Sequence, residues 1–208
     1  MTIAVIAANG RTGQAFVHRA VNAGYKVHAG IHSHNTLASH PNLVVMQCDG
    51  TQEDQVRALL NGADVVVSLI GHVRHSPKRV QTETIRNVIK VMQENGSTRL
   101  VSLTGTGVRF PGDKVSLRDR FLNALLHIVQ PPRVKDGIEH AKLIQASGLE
   151  WTILRVLRLQ NRTPKPYVLL EHGPTKASVS REEVAVALMQ ILEQHSFVQQ
   201  APMIGRPA

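Results

Sequence analysis

The sequence predicts an α/β protein built on one doubly wound parallel sheet. Three observations lead there. Short apolar runs alternate with amphipathic segments along the chain, the rhythm that successive βαβ units produce. The first apolar run passes through a glycine-bearing turn straight into a helical segment. Gly24, Gly62, Gly96 and Gly148 each close a helical stretch, as C-terminal caps do. The 208 residues suit a single domain, 1–208, with a full core.

The elements follow in order. Apolar runs place strands at Ile3–Ile6, Lys26–Ile31, Leu43–Gln47, Val65–Ile70, Leu100–Thr104, Trp151–Leu154 and Tyr167–Leu170. Helices are predicted over Gly13–Ala23, Glu53–Leu60, Gln81–Glu94, a basic stretch Leu117–Ile128, Lys135–Ser147 and Arg181–Glu193. In the first helix Phe16, Val17, Ala20 and Val21 repeat at helical spacing. Ser180 with Glu183 forms a capping box for the last. The Arg109–Asp113 turn and the Gln130-Pro131-Pro132-Arg133 break bracket an insert, residues 109–133, after the fifth strand. Beyond the carboxyl ends of the strands it is placed to cover a substrate, or to be a plain surface helix.

Composition narrows the function. No apolar run has the length that spans a bilayer. The N-terminus reads as a strand, not as a signal segment, so the expectation is a soluble, cytoplasmic protein. The one cysteine, Cys48, ends an apolar run and reads as a buried structural thiol. The net charge of +9 suits acidic ligands such as dinucleotide phosphates. The basic residues are scattered and aromatics make up only 3%, which speaks against a base-stacking nucleic-acid platform. A monomer and a homodimer are both compatible with the sequence.

The stretch Ala7-Ala8-Asn9-Gly10-Arg11-Thr12-Gly13 sits between the first strand and first helix, where a dinucleotide-phosphate turn belongs. Gly10 lets backbone approach a pyrophosphate, and Gly13 lets the helix pack tightly on the strand. The free amides and positive end of the helix face the phosphates. Alanine at position 7 stands where such turns usually open with glycine, so a shifted turn is expected. An ordinary strand-to-helix turn has the same parts; the following strand at Lys26–Ile31 favours the phosphate site.

Sites for the rest of a dinucleotide follow from the strand ends. A carboxylate near residue 32 would bind the ribose hydroxyls of NAD, yet no acidic residue lies between Gly13 and Asp49. Arg11, His32 and Ser33 instead suit the 2′-phosphate of NADP. His28, His32 and His34 alternate, but without a thiol or carboxylate beside them no metal site is expected. Asp49 and Gly50 form a corner that reaches the adenine or caps the next helix. Ile70 and Gly71 run beneath the ribose and pyrophosphate. His72 and His75 then face either the cleft mouth or solvent. Thr104, ending the fifth strand, sits near the nicotinamide. On the next helix His140 is a candidate proton donor, through a pKa near neutrality, and Lys142 a candidate ribose contact. A solvated helix face accounts for both as well. Arg155 and Arg158 flank the sixth strand's end, where an anionic substrate can dock.

Together these residues resemble the atypical short-chain dehydrogenase/reductases, in particular small NAD(P)H-binding proteins of the flavin reductase/biliverdin IXβ reductase and NmrA-like kinds. The resemblance spans nearly the whole chain. It rests on Ala7–Gly13, Cys48-Asp49-Gly50, Leu69-Ile70-Gly71, Val101–Gly105 and Ala146–Arg155. It implies a Rossmann-type fold and a bound nicotinamide dinucleotide. Where the group often has an NADP-selecting arginine after the second strand, this chain has His32; where proline follows the late arginine, it has Val156. The better-known members place tyrosine four residues before lysine, and here Ile138 stands four before Lys142. Two functions follow. One is an NADPH-dependent reductase of a small conjugated acceptor such as a flavin or quinone. The other is a non-catalytic NADP(H)-binding sensor acting through a protein partner.

Overall fold

The structure is a computed structural model, which describes residues 1–206 except 74, 106, 115–130, 174 and 176–177. Its strands are β1 (Thr2–Ile6), β2 (Lys26–Ile31), β3 (Leu43–Gln47), β4 (Val65–Ser68), β5 (Arg99–Gly105), β6 (Glu150–Val156), β7 (Leu159–Gln160), β8 (Val168–Leu170), β9 (Val179–Ser180) and β10 (Met203–Gly205). The helices are α1 (Arg11–Asn22), α2 (Glu53–Leu60), α3 (Val80–Asn95), α4 (Pro131–Gln145) and α5 (Arg181–Glu193).

Eight strands form one sheet in the order β3-β2-β1-β4-β5-β6-β10-β8. All neighbours run parallel except β8, which is antiparallel to β10. Strand order reverses between β1 and β4, and in such sheets ligands bind in the crevice beyond the carboxyl ends at that point. Alternation along β1 shows how the layers arise. Ile3 and Val5 pack on one face with Phe16 and Val17 of α1 and Val184 and Leu188 of α5. Ala4 and Ile6 pack on the other with Val56 and Leu59 of α2, Ile85 and Val88 of α3 and Ile144 of α4. Strands covered on both faces are apolar throughout, and β4 is buried at every position.

The fold is the Rossmann-type α/β architecture expected, with a two-stranded sheet in addition to the main one. Differences lie at element ends. The helix expected from Lys135 begins at Pro131, because proline at the first helical position gives up an amide that has no partner there anyway. The prolines at 131 and 132 therefore open a helix instead of breaking the chain. Strand β10 was not foreseen. Its three residues fill the gap between β6 and the edge strand β8. The two-residue strands β7 and β9, which pair with each other, were also not foreseen. The helix expected over Leu117–Ile128 lies outside the described residues, so of the 109–133 insert only the flanks are seen. The expected cap of α5 is present: Glu183 N–H donates to Ser180 Oγ at 3.1 Å and Ser180 N–H to Glu183 Oε2 at 3.0 Å.

Candidate functional site

The β1–α1 turn is built around two backbone constraints. Ala7 sits in the left-handed region at φ 60°, and its carbonyl accepts the Gly10 N–H at 3.0 Å. A β-carbon on Gly13 would lie 2.4 Å from the Ala7 oxygen and 2.5 Å from that of Ala8. Only glycine fits there, as the sequence suggested. A β-carbon on Gly10 would be 3.1 Å from the Ala7 oxygen, tight but not forbidding. Gly10 caps α1 with no side chain, and the first turn holds no acidic residue. The leading amides of α1 are thus left for an anion. Arg11 is exposed beside them. The guanidinium of Arg181, at the start of α5, is held below the ordinary arginine value by burial and by the charge of Arg11. Two cations are thus crowded at the mouth of an anion-accepting helix end.

The adenosine side is more ordered than the sequence indicated. Asn9 is engaged by protein. Its Nδ2 donates to the His34 carbonyl at 2.9 Å, and its Oδ1 accepts the Thr36 amide at 3.1 Å and the Thr36 hydroxyl. The residue expected to touch cofactor instead fastens the loop after β2 to the turn after β1. Thr12 is buried, while His32 and Ser33 are exposed on that loop. His32 Nε2 lies 3.6 Å from Asp49 Oδ2. Burial would raise the Asp49 carboxyl, but the Thr51 amide and hydroxyl, with His32, outweigh it and hold it below the usual carboxylate range. Gly50 is packed on α3, where a β-carbon would meet Thr84 at 2.5 Å. The Ile70 carbonyl accepts Gln81 Nε2 at 3.1 Å. Beside it a β-carbon on Gly71 would meet nothing, so the chain end of β4 faces open space.

Further along the same sheet edge lies a cleft of about 390 Å³, lined by His72, Gln81, Thr104, Arg133, Val156 and Leu157 among others. Thr104 lies one residue before the end of β5, which runs on to Gly105, and lines the cleft. His72 faces this cleft, the alternative left open by the sequence. Its Nε2 is 2.9 Å from Asp136 Oδ2, and the Asp136 side chain is fully buried. The same carboxylate accepts the Gln81 amide at 2.9 Å, the Thr82 amide at 3.0 Å and the Thr82 hydroxyl at 2.5 Å. A carboxylate on α4 therefore serves as the N-terminal cap that α3 lacks in its own sequence. Asp136 was not singled out by sequence because its partners are 54 to 64 residues away.

Two expected site residues, His140 and Arg155, are placed differently. His140 is fully buried, with Nε2 3.0 Å from Ser102 Oγ and Nδ1 unpartnered among the described residues. Burial pushes its pKa down to about 4, against a smaller opposing pull from Asp136. At neutral pH the ring carries no proton to donate as an acid, which corrects the role expected for it. Lys142 is exposed and pairs with Glu139 at 3.3 Å. Arg155 is not a dock for an anionic substrate. Its side chain is 1% exposed and its guanidinium grips Asp113 at 2.5 and 2.8 Å. It also donates to the Glu171 and Ala201 carbonyls at 2.9 and 2.7 Å and lies over the Phe110 ring. The arginine is consumed in fixing the loop after β5. Arg158 is exposed. Among the described residues no cluster of histidine, cysteine or acid could hold a metal ion, and none of their helices is long and apolar enough to cross a membrane.

A glycine turn at the end of β1, an uncapped helix facing it and a cleft along one sheet edge define a dinucleotide-binding α/β protein. The chain belongs to the NAD(P)H-binding family, whose sequence model matches residues 7–195. A short-chain dehydrogenase/reductase from Veillonella parvula, solved in complex with NADP, superposes with a TM-score of 0.80 at 18% identity over 100% of this chain and 95% of that one. A candidate NADH-flavin reductase from Streptococcus pneumoniae gives 0.79 at 20% identity, with 100% of both chains covered. An uncharacterized chloroplastic protein of Arabidopsis thaliana is 24% identical over 97% of this chain and 76% of its own length. These likenesses match the resemblance to atypical short-chain dehydrogenase/reductases.

Proposed function

We propose that the protein is an NADPH-dependent reductase of a flavin, quinone or similar flat conjugated acceptor. The observation that carries this reading is the shared edge: the uncapped, acid-free start of α1 and the His72–Thr104 cleft both lie beyond the carboxyl ends of the sheet. Bound along that edge, the cofactor supplies a hydride. The α1 amides and Arg11 would hold its pyrophosphate, with Gly13 keeping the helix close enough to do so. His32, Ser33 and the Arg11–Arg181 pair would favour the 2′-phosphate: residues 14–48 carry no acid, and the nearby Asp49 carboxylate is engaged by Thr51 and His32. Asp49, Gly50, Ile70 and Gly71 would line the adenosine stretch. Thr104 would position the acceptor, while Lys142 and Arg158 remain outer contacts. Placing donor and acceptor in contact would supply much of the rate.

The partner is then a small molecule, not nucleic acid. A reducing compartment such as the cytoplasm suits the lone buried thiol of Cys48. The missing tyrosine favours a second reading, an NADP(H)-binding sensor. Steady oxidation of NADPH with a panel of flavins and quinones separates the two: turnover supports the reductase, and tight binding without turnover supports the sensor.

A further inference from the structure

We propose that His72, oriented by Asp136, is the proton donor of this site, with Nδ1 the atom that gives up the proton. The proposal rests on the reductase reading above. The geometry of the pair fixes which nitrogen does what. Both Asp136 oxygens are already met by donors from Gln81 and Thr82. The carboxylate is therefore an acceptor toward His72, and Nε2 of the ring bears the proton of the 2.9 Å contact. Nδ1 is left as the nitrogen that gains or loses a proton, and among the described residues it has no hydrogen-bond partner.

The ring is firmly placed. Its side chain is only 9% exposed, and the carboxylate that holds it is fully buried and tied to the first turn of α3. A histidine so held keeps one tautomer and one orientation. Of the described residues lining the cleft, His72 alone carries an imidazole, the side chain most often used for general acid–base work; Gln81 and Thr104 have no acid of that kind. The other candidates are elsewhere: Ile138 takes the place of the usual tyrosine, and His140 is buried and neutral. Two charged side chains of α4 stand by the ring: Asp136, at 2.9 Å, and Arg133, which lines the same cleft.

The step balances simply. An acceptor taking a hydride gains both electrons and one hydrogen at carbon or nitrogen. The Nδ1–H bond breaks, and a new O–H or N–H bond forms at the acceptor heteroatom that carries the resulting negative charge. The ring is left neutral and regains a proton from water, and the dinucleotide leaves in its oxidised form.

The test combines kinetics with a direct view of the ring. In 15N-labelled protein without cofactor, long-range proton–nitrogen spectra should show His72 neutral with its proton on Nε2 at high pH and Nδ1 as the titrating nitrogen. NADPH oxidation with the best acceptor of the panel should decline, as pH rises, along the same curve. In His72→Gln that limb should vanish and turnover at pH 7 should fall roughly a hundredfold. NADPH affinity by calorimetry should stay within about twofold. A proton on Nδ1, a kinetic limb that does not follow the Nδ1 titration, or an unaffected His72→Gln would each overturn the assignment while leaving an active reductase in place. Failure of the wild-type protein to oxidise NADPH with any acceptor would remove the reductase reading, and this one with it. The spectra and the wild-type profile decide the matter even if the variant does not fold.

Discussion

Gly10 and Gly13 stand three residues apart and answer to different neighbours. Alanine at 13 would press its β-carbon into two carbonyl oxygens that belong to backbone and cannot swing away. Gly13→Ala is therefore expected to cost about 1–3 kcal/mol or more in urea unfolding. Gly10 has φ −66°, open to any residue, and a nearest approach of 3.1 Å. Gly10→Val is expected to leave the thermal midpoint almost unchanged and to weaken NADPH binding at least about tenfold, because its branches fill the space above the α1 amides. Normal binding by this variant would show that the turn is not the phosphate site. His140 makes a separate, pH-dependent contribution. Its pKa of about 4 lies below the 6.5 of an unfolded histidine. The unfolded chain therefore binds a proton that the native one refuses. Stability from this residue is complete above pH 6.5 and is lost as pH falls toward 4, by about 3 kcal/mol when the loss is complete. His140→Gln should flatten the unfolding free energy between pH 6.5 and 4.5, and should change turnover by no more than a few-fold.

The elements of the sheet were legible wherever the chain repeats a pattern long enough to be seen. Strands β4 and β5 are buried along nearly their whole length because helices cover both faces, and α1 shows its buried stripe in Phe16, Val17, Ala20 and Val21. Strand β10 was not legible, because Met203–Gly205 is held by pairing with β6 and β8 and not by any periodicity of its own. The start of α4 was misplaced because a proline pair reads as a break until its position in the first turn is known. The site divides in the same way. The phosphate turn is local, so seven consecutive residues announce it. His72 and Asp136 are 64 residues apart, and their meeting depends on how α3 and α4 pack. Arg155 misled for a related reason: a basic residue at a strand end suits a substrate anion equally well until its partner, Asp113, is seen. That clamp gives an element-scale expectation. Asp113→Asn leaves a fully buried guanidinium short of its counter-charge. It should cost about 3–5 kcal/mol and speed hydrogen exchange in residues 108–113 ahead of the strands.

At the scale of the whole molecule, one sheet edge brings together groups that the sequence scatters from residue 7 to residue 157. Arg11 and Arg181 are close enough at its positive end to depress the Arg181 guanidinium, and residues 14–48 carry no acid. The central claim is that this edge takes the phosphorylated dinucleotide. Calorimetric titration of the wild-type protein with NADPH and with NADH, in the same buffer at one salt concentration, tests it most directly. NADPH is expected to bind at least several-fold more tightly, a difference of about 1 kcal/mol or more from the added phosphate contact. The ratio should shrink as salt is raised. Equal affinities, or a preference for NADH, would contradict the account.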